Sequence, residues 1–108
     1  MTSVAFEEFK KTELRIAKIL EVVEIPGADR IWKLKIDLGT EQRQIVAGIK
    51  KYYSSETLVG RSVVVVSNLT PSVIRGVESQ GMLLAAKSGE ELTLLTLDKD
   101  MPPGSLVG

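Results

Sequence analysis

The chain has 108 residues, 44% of them apolar, with 14 basic and 14 acidic side chains and no net charge. That length can bury one core but not two, and no apolar run reaches the roughly 18 residues that a membrane span needs. Neither cysteine nor histidine occurs, which excludes disulfides, thiolate or imidazole metal sites, and Ser-His or Cys-His nucleophile pairs. Carboxylate or lysine chemistry would remain, but no spacing of the acids singles out a pair. No catalytic residue, metal or cofactor is therefore expected.

The acidic start, Met1 to Glu8, lacks the basic-then-apolar order of a signal peptide. Together with the absence of cysteine, this leads us to expect a cytoplasmic protein. Residues 5–12 fit a short helix capped by Thr2 or Ser3, with Phe6 and Phe9 on one face as a plug on the core. From Leu14 to Ile25, alternation gives way to the pairs Ile19-Leu20 and Val22-Val23, the pattern of a long strand bent by a bulge. Pro26-Gly27-Ala28-Asp29 makes a turn.

The next strand alternates cleanly. Trp32, Leu34, Ile36 and Leu38 share one face, and Lys33, Lys35 and Asp37 share the other. Trp32 is expected in the core rather than stacked on a base, with the two lysines open to phosphates. Leu38 to Glu41 is a hairpin connection and Arg43 to Ile49 a third strand. Lys50, Lys51, Tyr52 and Tyr53 follow in a loop, which suits either a nucleic-acid contact or tyrosines that bury their rings and hold the connection. Ser54 or Ser55 caps one helical turn through Leu58, closed by Gly60.

Arg61 to Asn68 contains four successive valines. A strand apolar on both faces needs cover on both, which predicts contact with a second subunit. Gly81 to Ala86 is of the same kind, Glu91 to Leu97 is a further short strand, and Leu106-Val107 pairs as an edge after the Pro102-Pro103-Gly104 turn. There is no repeat, low-complexity tract or linker, so residues 1–108 are expected to form one domain. Short strands with turns about every 8–12 residues, and one helical turn between the third and fourth strands, predict an all-β protein. The expected architecture is an OB-fold barrel of about five strands plus a short helix, with a short N-terminal helix and a C-terminal extension.

Two features bear on function. Between Arg30 and Lys87 stand nine basic and four acidic residues, while the ends carry the compensating acids. A neutral chain with segregated charge can hold a polyanion on one face; alternatively, each charge only solvates its own strand. The second feature is Arg75-Gly76-Val77-Glu78-Ser79-Gln80-Gly81-Met82. Glycines here permit close backbone approach or unusual dihedrals, with Arg75, Ser79 and Gln80 as donors beside them. The segment suits a loop facing an RNA backbone, or an ordinary hairpin with incidental polar residues.

The residues also resemble a known family. Phe9 to Ile19 is similar to its opening F-x-K-x-D-L-R-V-A-K-I pattern, and Ile25-Pro-Gly-Ala-Asp-Arg30 to its H-P-x-A-D-K turn. Asp37-Leu-Gly39, Arg43 to Ile49, Leu58 to Arg61, Asn68-Leu69 and Arg75 to Leu84 continue in register. This is the tRNA-binding domain found at the C-terminus of methionyl-tRNA synthetases, as a free-standing subunit, and in synthetase cofactors of the endothelial-monocyte-activating type. The chain departs from the pattern at Ile25, where many members carry histidine, and at Ser72-Val73-Ile74, where relatives often have lysines.

The resemblance implies an OB-fold homodimer that binds tRNA by shape, without catalysis, and assists a methionyl-tRNA synthetase catalytic subunit. The alternative within the fold is a protein-export chaperone that binds peptides. The residues expected to contact tRNA are Lys33, Lys35, Arg43, Lys50, Lys51, Asn68, Arg75, Ser79, Gln80, Gly81 and Met82.

Overall fold

Period-two alternation builds the central sheet of the computed structural model, which describes all 108 residues. β1 (Leu14–Glu24) runs antiparallel to β2 (Trp32–Asp37), and β2 runs antiparallel to β3 (Gln42–Ala47). The register of β1 against β2 shifts between Ile19 and Glu21. This is the bulge expected where alternation breaks, and it lets one long strand curl. The first half of β1 pairs with β4 (Ser62–Val66), so Ile16 lies opposite Val64 and Ala17 opposite Val63. β7 (Met82–Leu83) extends the sheet beyond β4.

The order β3-β2-β1-β4-β7 curls round until its ends meet. The Gln80 N–H donates to the Gln44 carbonyl at 2.9 Å, and Gln44 Nε2 donates to the Glu78 carbonyl at 2.9 Å. The one-turn helix α2 (Ser55–Leu58) lies in the β3–β4 connection. Five barrel strands with a helix at that place have the organisation of an OB-fold.

The core follows from this closure. Ile19, Leu34, Ile36, Ile45, Leu58, Val63 and Val65 are fully buried, and each such side chain contributes about 1.5–3 kcal/mol relative to exposure. Trp32 is buried as expected, and its indole N–H donates to the Tyr53 carbonyl at 2.9 Å. Tyr53 in turn accepts the Leu94 N–H on its hydroxyl at 3.1 Å. Of the two roles open to the tyrosines, Tyr53 holds the connection, while Tyr52 stays exposed.

Three expectations are corrected. First, the four valines of β4 need no second subunit, because within one chain none of them is more than 8% exposed. Second, the helix α1 (Phe6–Phe9) is a single turn whose N-cap is Ala5, with no capping side chain. Phe6 and Phe9 are 71% and 49% exposed rather than plugging the core; the fully buried Leu58 fills the barrel from α2 instead. Third, the segment 81–86 is not one doubly buried strand. It leaves the barrel after β7 to form a hairpin of β8 (Ala85–Ser88) with β9 (Glu91–Leu94), and Ala85 and Ala86 are exposed. A final β10 (Leu106–Val107) pairs with the start of β1.

A second, smaller apolar cluster lies outside the barrel. Ile25, Ala28 and Val46 are buried there, with Ile31 and Val77 packed against them. They sit beneath a hairpin of β5 (Ser72–Ile74) and β6 (Val77–Ser79), inserted between β4 and β7.

Candidate nucleic-acid interface

Strand pairing fixes what the outer face of β1-β2-β3 presents. Lys35 lies between Glu21 and Gln44, Lys33 between Val23 and Val46, and Asp37 between Lys18 and Gln42. The core side of β2 takes Trp32, Leu34 and Ile36, so Lys33 and Lys35 project outward. Lys35 is exposed and Lys33 half-buried, and neither is in an ion pair. They border an open depression of about 360 Å³ that Gln42, Gln44, Arg43 and Gln80 also line. Glu21 is the one acid on this shallow surface, where cationic and amide groups predominate, a lining suited to a phosphate backbone rather than to a small molecule.

Arg43, though it lines the same depression, is engaged within the barrel. It lies opposite Ile36, a core-side position, and its guanidinium turns to the end of the barrel. There it binds Glu41 Oε1 at 2.6 Å and the carbonyls of Ser67 and Gln80. A second pair meets it: Arg15 Nε donates to Glu13 Oε1 at 2.7 Å, and the Ser67 hydroxyl donates to the same oxygen at 2.7 Å. The Arg15 hydrogen bond, aided by Ser67, lowers the Glu13 carboxyl to about 2, while Glu13 raises the Arg15 guanidinium. Asn68 straps the N-terminal segment to this end. Its Oδ1 accepts the Glu13 N–H at 2.8 Å, and its Nδ2 donates to the Lys11 carbonyl at 2.6 Å.

Residues 79–82 make contacts that a ligand-facing loop would not need. Ser79 is 4% exposed; its Oγ accepts the Val46 N–H at 2.9 Å and donates to the Gly81 carbonyl at 3.0 Å. Gln80 Oε1 accepts the Gln44 N–H at 3.1 Å. Gly81 has φ 150°, and a Cβ there would stand 2.9 Å from the Val66 carbonyl. The close approach foreseen for this glycine is thus to the barrel's own β4. Met82, also among the residues expected to contact tRNA, lies opposite Val66 and is 47% exposed.

Lys50 is also held internally. Its Nζ donates to the Ala28 carbonyl at 3.2 Å, pairs with Glu24 at 3.3 Å and lies 4.9 Å from the centre of a Trp32 ring. Lys51 is exposed. Arg75 is exposed at the β5–β6 tip, with one hydrogen bond from Nη2 to the Gly27 carbonyl at 2.6 Å. The candidates therefore divide. Lys33, Lys35, Lys51 and Arg75 carry cationic groups outward, while Arg43, Lys50, Asn68, Ser79, Gln80 and Gly81 join parts of the chain. Arg30, not among the residues expected to contact tRNA, lines a cleft with Arg75; its signals in the sequence are its place in the basic central stretch and at the lysine position of the H-P-x-A-D-K turn.

A five-stranded barrel with a one-turn helix in its β3–β4 connection defines a protein of the OB-fold class. A family model described as "Putative tRNA binding domain" matches residues 14–106, and the chain belongs to that family. It is 55% identical over 107 residues to methionine–tRNA ligase of Pyrococcus furiosus, a match that covers 99% of this chain and 15% of that one. The chain spans only about one seventh to one sixth of the length of such curated relatives. Among solved structures, a MetRS-related protein from Pyrococcus horikoshii superposes with a TM-score of 0.94 at 32% identity, covering all of both chains. The chaperone CsaA from Bacillus anthracis superposes at 0.90 and 28% identity, over 99% of this chain and 100% of that one.

Proposed function

We propose that the chain is a non-catalytic tRNA-binding module that grips folded tRNA through phosphate contacts and assists a methionyl-tRNA synthetase in the cytoplasm. The observation that carries this reading is the outward, unpaired Lys33-Lys35 pair on β2, beside the polar surface of Gln42 and Gln44. Lys51 and Arg75 add cationic groups from neighbouring loops. Trp32 is buried and no aromatic ring lines the Lys33–Lys35 depression, so shape and backbone are the features read there. Its similarity to methionine–tRNA ligases supports delivery of tRNA to such an enzyme by raising its local concentration. The reading includes a homodimer, resting on the family resemblance and not on β4. Sedimentation equilibrium should give twice the chain mass.

The superposition on CsaA supports a second reading, a chaperone-like binder of peptides. One experiment separates the two: titration with unfractionated tRNA at two salt concentrations, beside titration with an unfolded peptide. Phosphate gripping predicts a log–log salt slope of roughly −0.7 to −0.9 per neutralised phosphate. Salt-independent binding confined to the peptide would favour the chaperone reading.

A further inference from the structure

The β5–β6 tip holds an arginine in a backbone conformation that arginine disfavours. Ile74 pairs with Val77, leaving Arg75 and Gly76 as a two-residue connection with φ 54° and 77°. Two positive values define a type I′ turn, whose first position favours Asn, Asp or Gly. Arg75 is the one non-glycine residue of the chain with positive φ. Strained residues of this kind persist where the side chain has work to do. Burial does not offset the strain, since Arg75 is exposed and forms no ion pair.

A second cation faces the same space. Arg30, at the end of the β1–β2 turn, is exposed and likewise without an ion pair. The two arginines line a cleft of about 240 Å³ with Ala28, Asp29, Ile31 and Ile74. Asp29 is its one acid, and two guanidinium groups outnumber it. The loop that carries Lys51 docks beside them, with the Lys50 N–H donating to the Arg30 carbonyl at 3.2 Å. A small cleft with excess positive charge, open to solvent and part-floored by aliphatic side chains, matches a phosphate whose attached sugar can lay its C–H edge on those side chains.

We propose that Arg30 and Arg75 clamp one phosphodiester of the bound tRNA between the β1–β2 turn and the β5–β6 tip, with Ile31 and Ile74 against the ribose. Planar guanidinium groups bind phosphate oxygens in pairs. The clamp rests on the tRNA-binding reading and adds a subsite to it, at the end of β2 where Lys33 begins the outward lysine row. The geometry also explains why the turn carries arginine: turn stability is given up to place a guanidinium opposite Arg30.

The test uses Arg75→Asn, Arg30→Gln and the double variant, with thermal melts and tRNA titrations at two salt concentrations. Asn-Gly is a favoured type I′ pair, so Arg75→Asn should melt at or above the wild-type temperature. Its tRNA affinity should nevertheless fall about tenfold, with a salt slope shallower by about one. Arg30→Gln should melt like wild type and lose a similar amount. The double variant should lose less than the product of the two, because both groups serve one phosphate. Unchanged affinity in the two folded single variants would overturn the clamp while leaving Lys33 and Lys35 as the RNA face. Fully multiplicative losses would overturn the shared phosphate. A clearly lower melting temperature for Arg75→Asn would show that the Gly27 contact keeps the arginine, and would remove Arg75 from the clamp. Failure of the wild-type chain to bind tRNA at all would refute the tRNA reading itself, a result distinct from the others.

Discussion

On β2, the register of Lys33 and Lys35 is set by strands on either side, so their side chains are left free. In the segment Ser79–Gly81, polar side chains themselves supply the pairing. The difference lies in the edge of β3. Gln44 and Val46 have backbone groups pointing away from β2, and a buried or half-buried N–H requires an acceptor. A regular sixth barrel strand would provide one. Here Ser79 and Gln80 do so with side-chain oxygens, and Gly81 lets the chain pass close under Val66. Donors beside glycine therefore do not identify a ligand loop until the neighbouring strand edge has been satisfied.

The largest expected effect tests whether Gly81 belongs to the barrel. Gly81→Val places a Cβ 2.9 Å from a backbone oxygen, at a φ of 150° that branched residues avoid. A loss of about 2–5 kcal/mol of stability should follow, seen as a large drop in melting temperature. A variant that melts normally and only loses tRNA affinity would return Gly81 to the ligand face. Next comes Ser79→Ala, which removes the acceptor of the buried Val46 N–H and should cost about 1–3 kcal/mol. Urea unfolding measures it, and a wild-type midpoint would mean that the hydroxyl closes nothing.

Lys35→Ala tests the other side of the comparison. Its side chain is exposed and unpaired, so stability should stay within about 0.5 kcal/mol of wild type. Affinity should fall for all tRNAs alike, and the salt slope should lose about one unit. A loss confined to one tRNA would indicate base reading rather than phosphate contact.

The parts of the fold legible in the sequence are those set by neighbours along the chain. The alternation from Trp32 to Leu38 gives the faces of β2, and the doubled apolar pairs of β1 mark its bulge. Charge alone groups Arg43 with Lys33 and Lys35, whereas parity puts it with Ile45 and Ala47 on the core side of β3. The closure was hidden because Ser79 and Val46 are 33 residues apart, and Gln80 and Gln44 are 36 apart; no local pattern links them. The valine strand misled for a related reason. Its composition demands cover on both faces, but it is the tertiary fold that shows one chain can supply both. For α1, two phenylalanines on one face suggested docking, yet a single uncapped turn has little to hold it against the barrel.

The smallest effect concerns acid. Glu13 joins the barrel end through Arg15 and Ser67, with its backbone N–H held by Asn68. Its carboxyl lies near 2, below the ordinary 4.5, chiefly because Arg15 and then Ser67 hydrogen-bond the charged form. A depressed carboxyl stabilises the folded state fully above its unfolded value, and that contribution is lost as pH falls towards the folded value. Stability from this group should therefore hold from neutrality down to about 4.5 and decline between there and about 2. The site is open to solvent, so screening keeps the effect small and salt should reduce it further. Glu13→Gln should lower stability slightly at pH 7 and flatten this part of the acid limb, as followed by urea unfolding at a series of pH values. An acid limb of unchanged steepness in that variant would show that Arg15 and Ser67 hold the barrel end without help from the Glu13 charge, leaving Asn68 and Arg43 to close it.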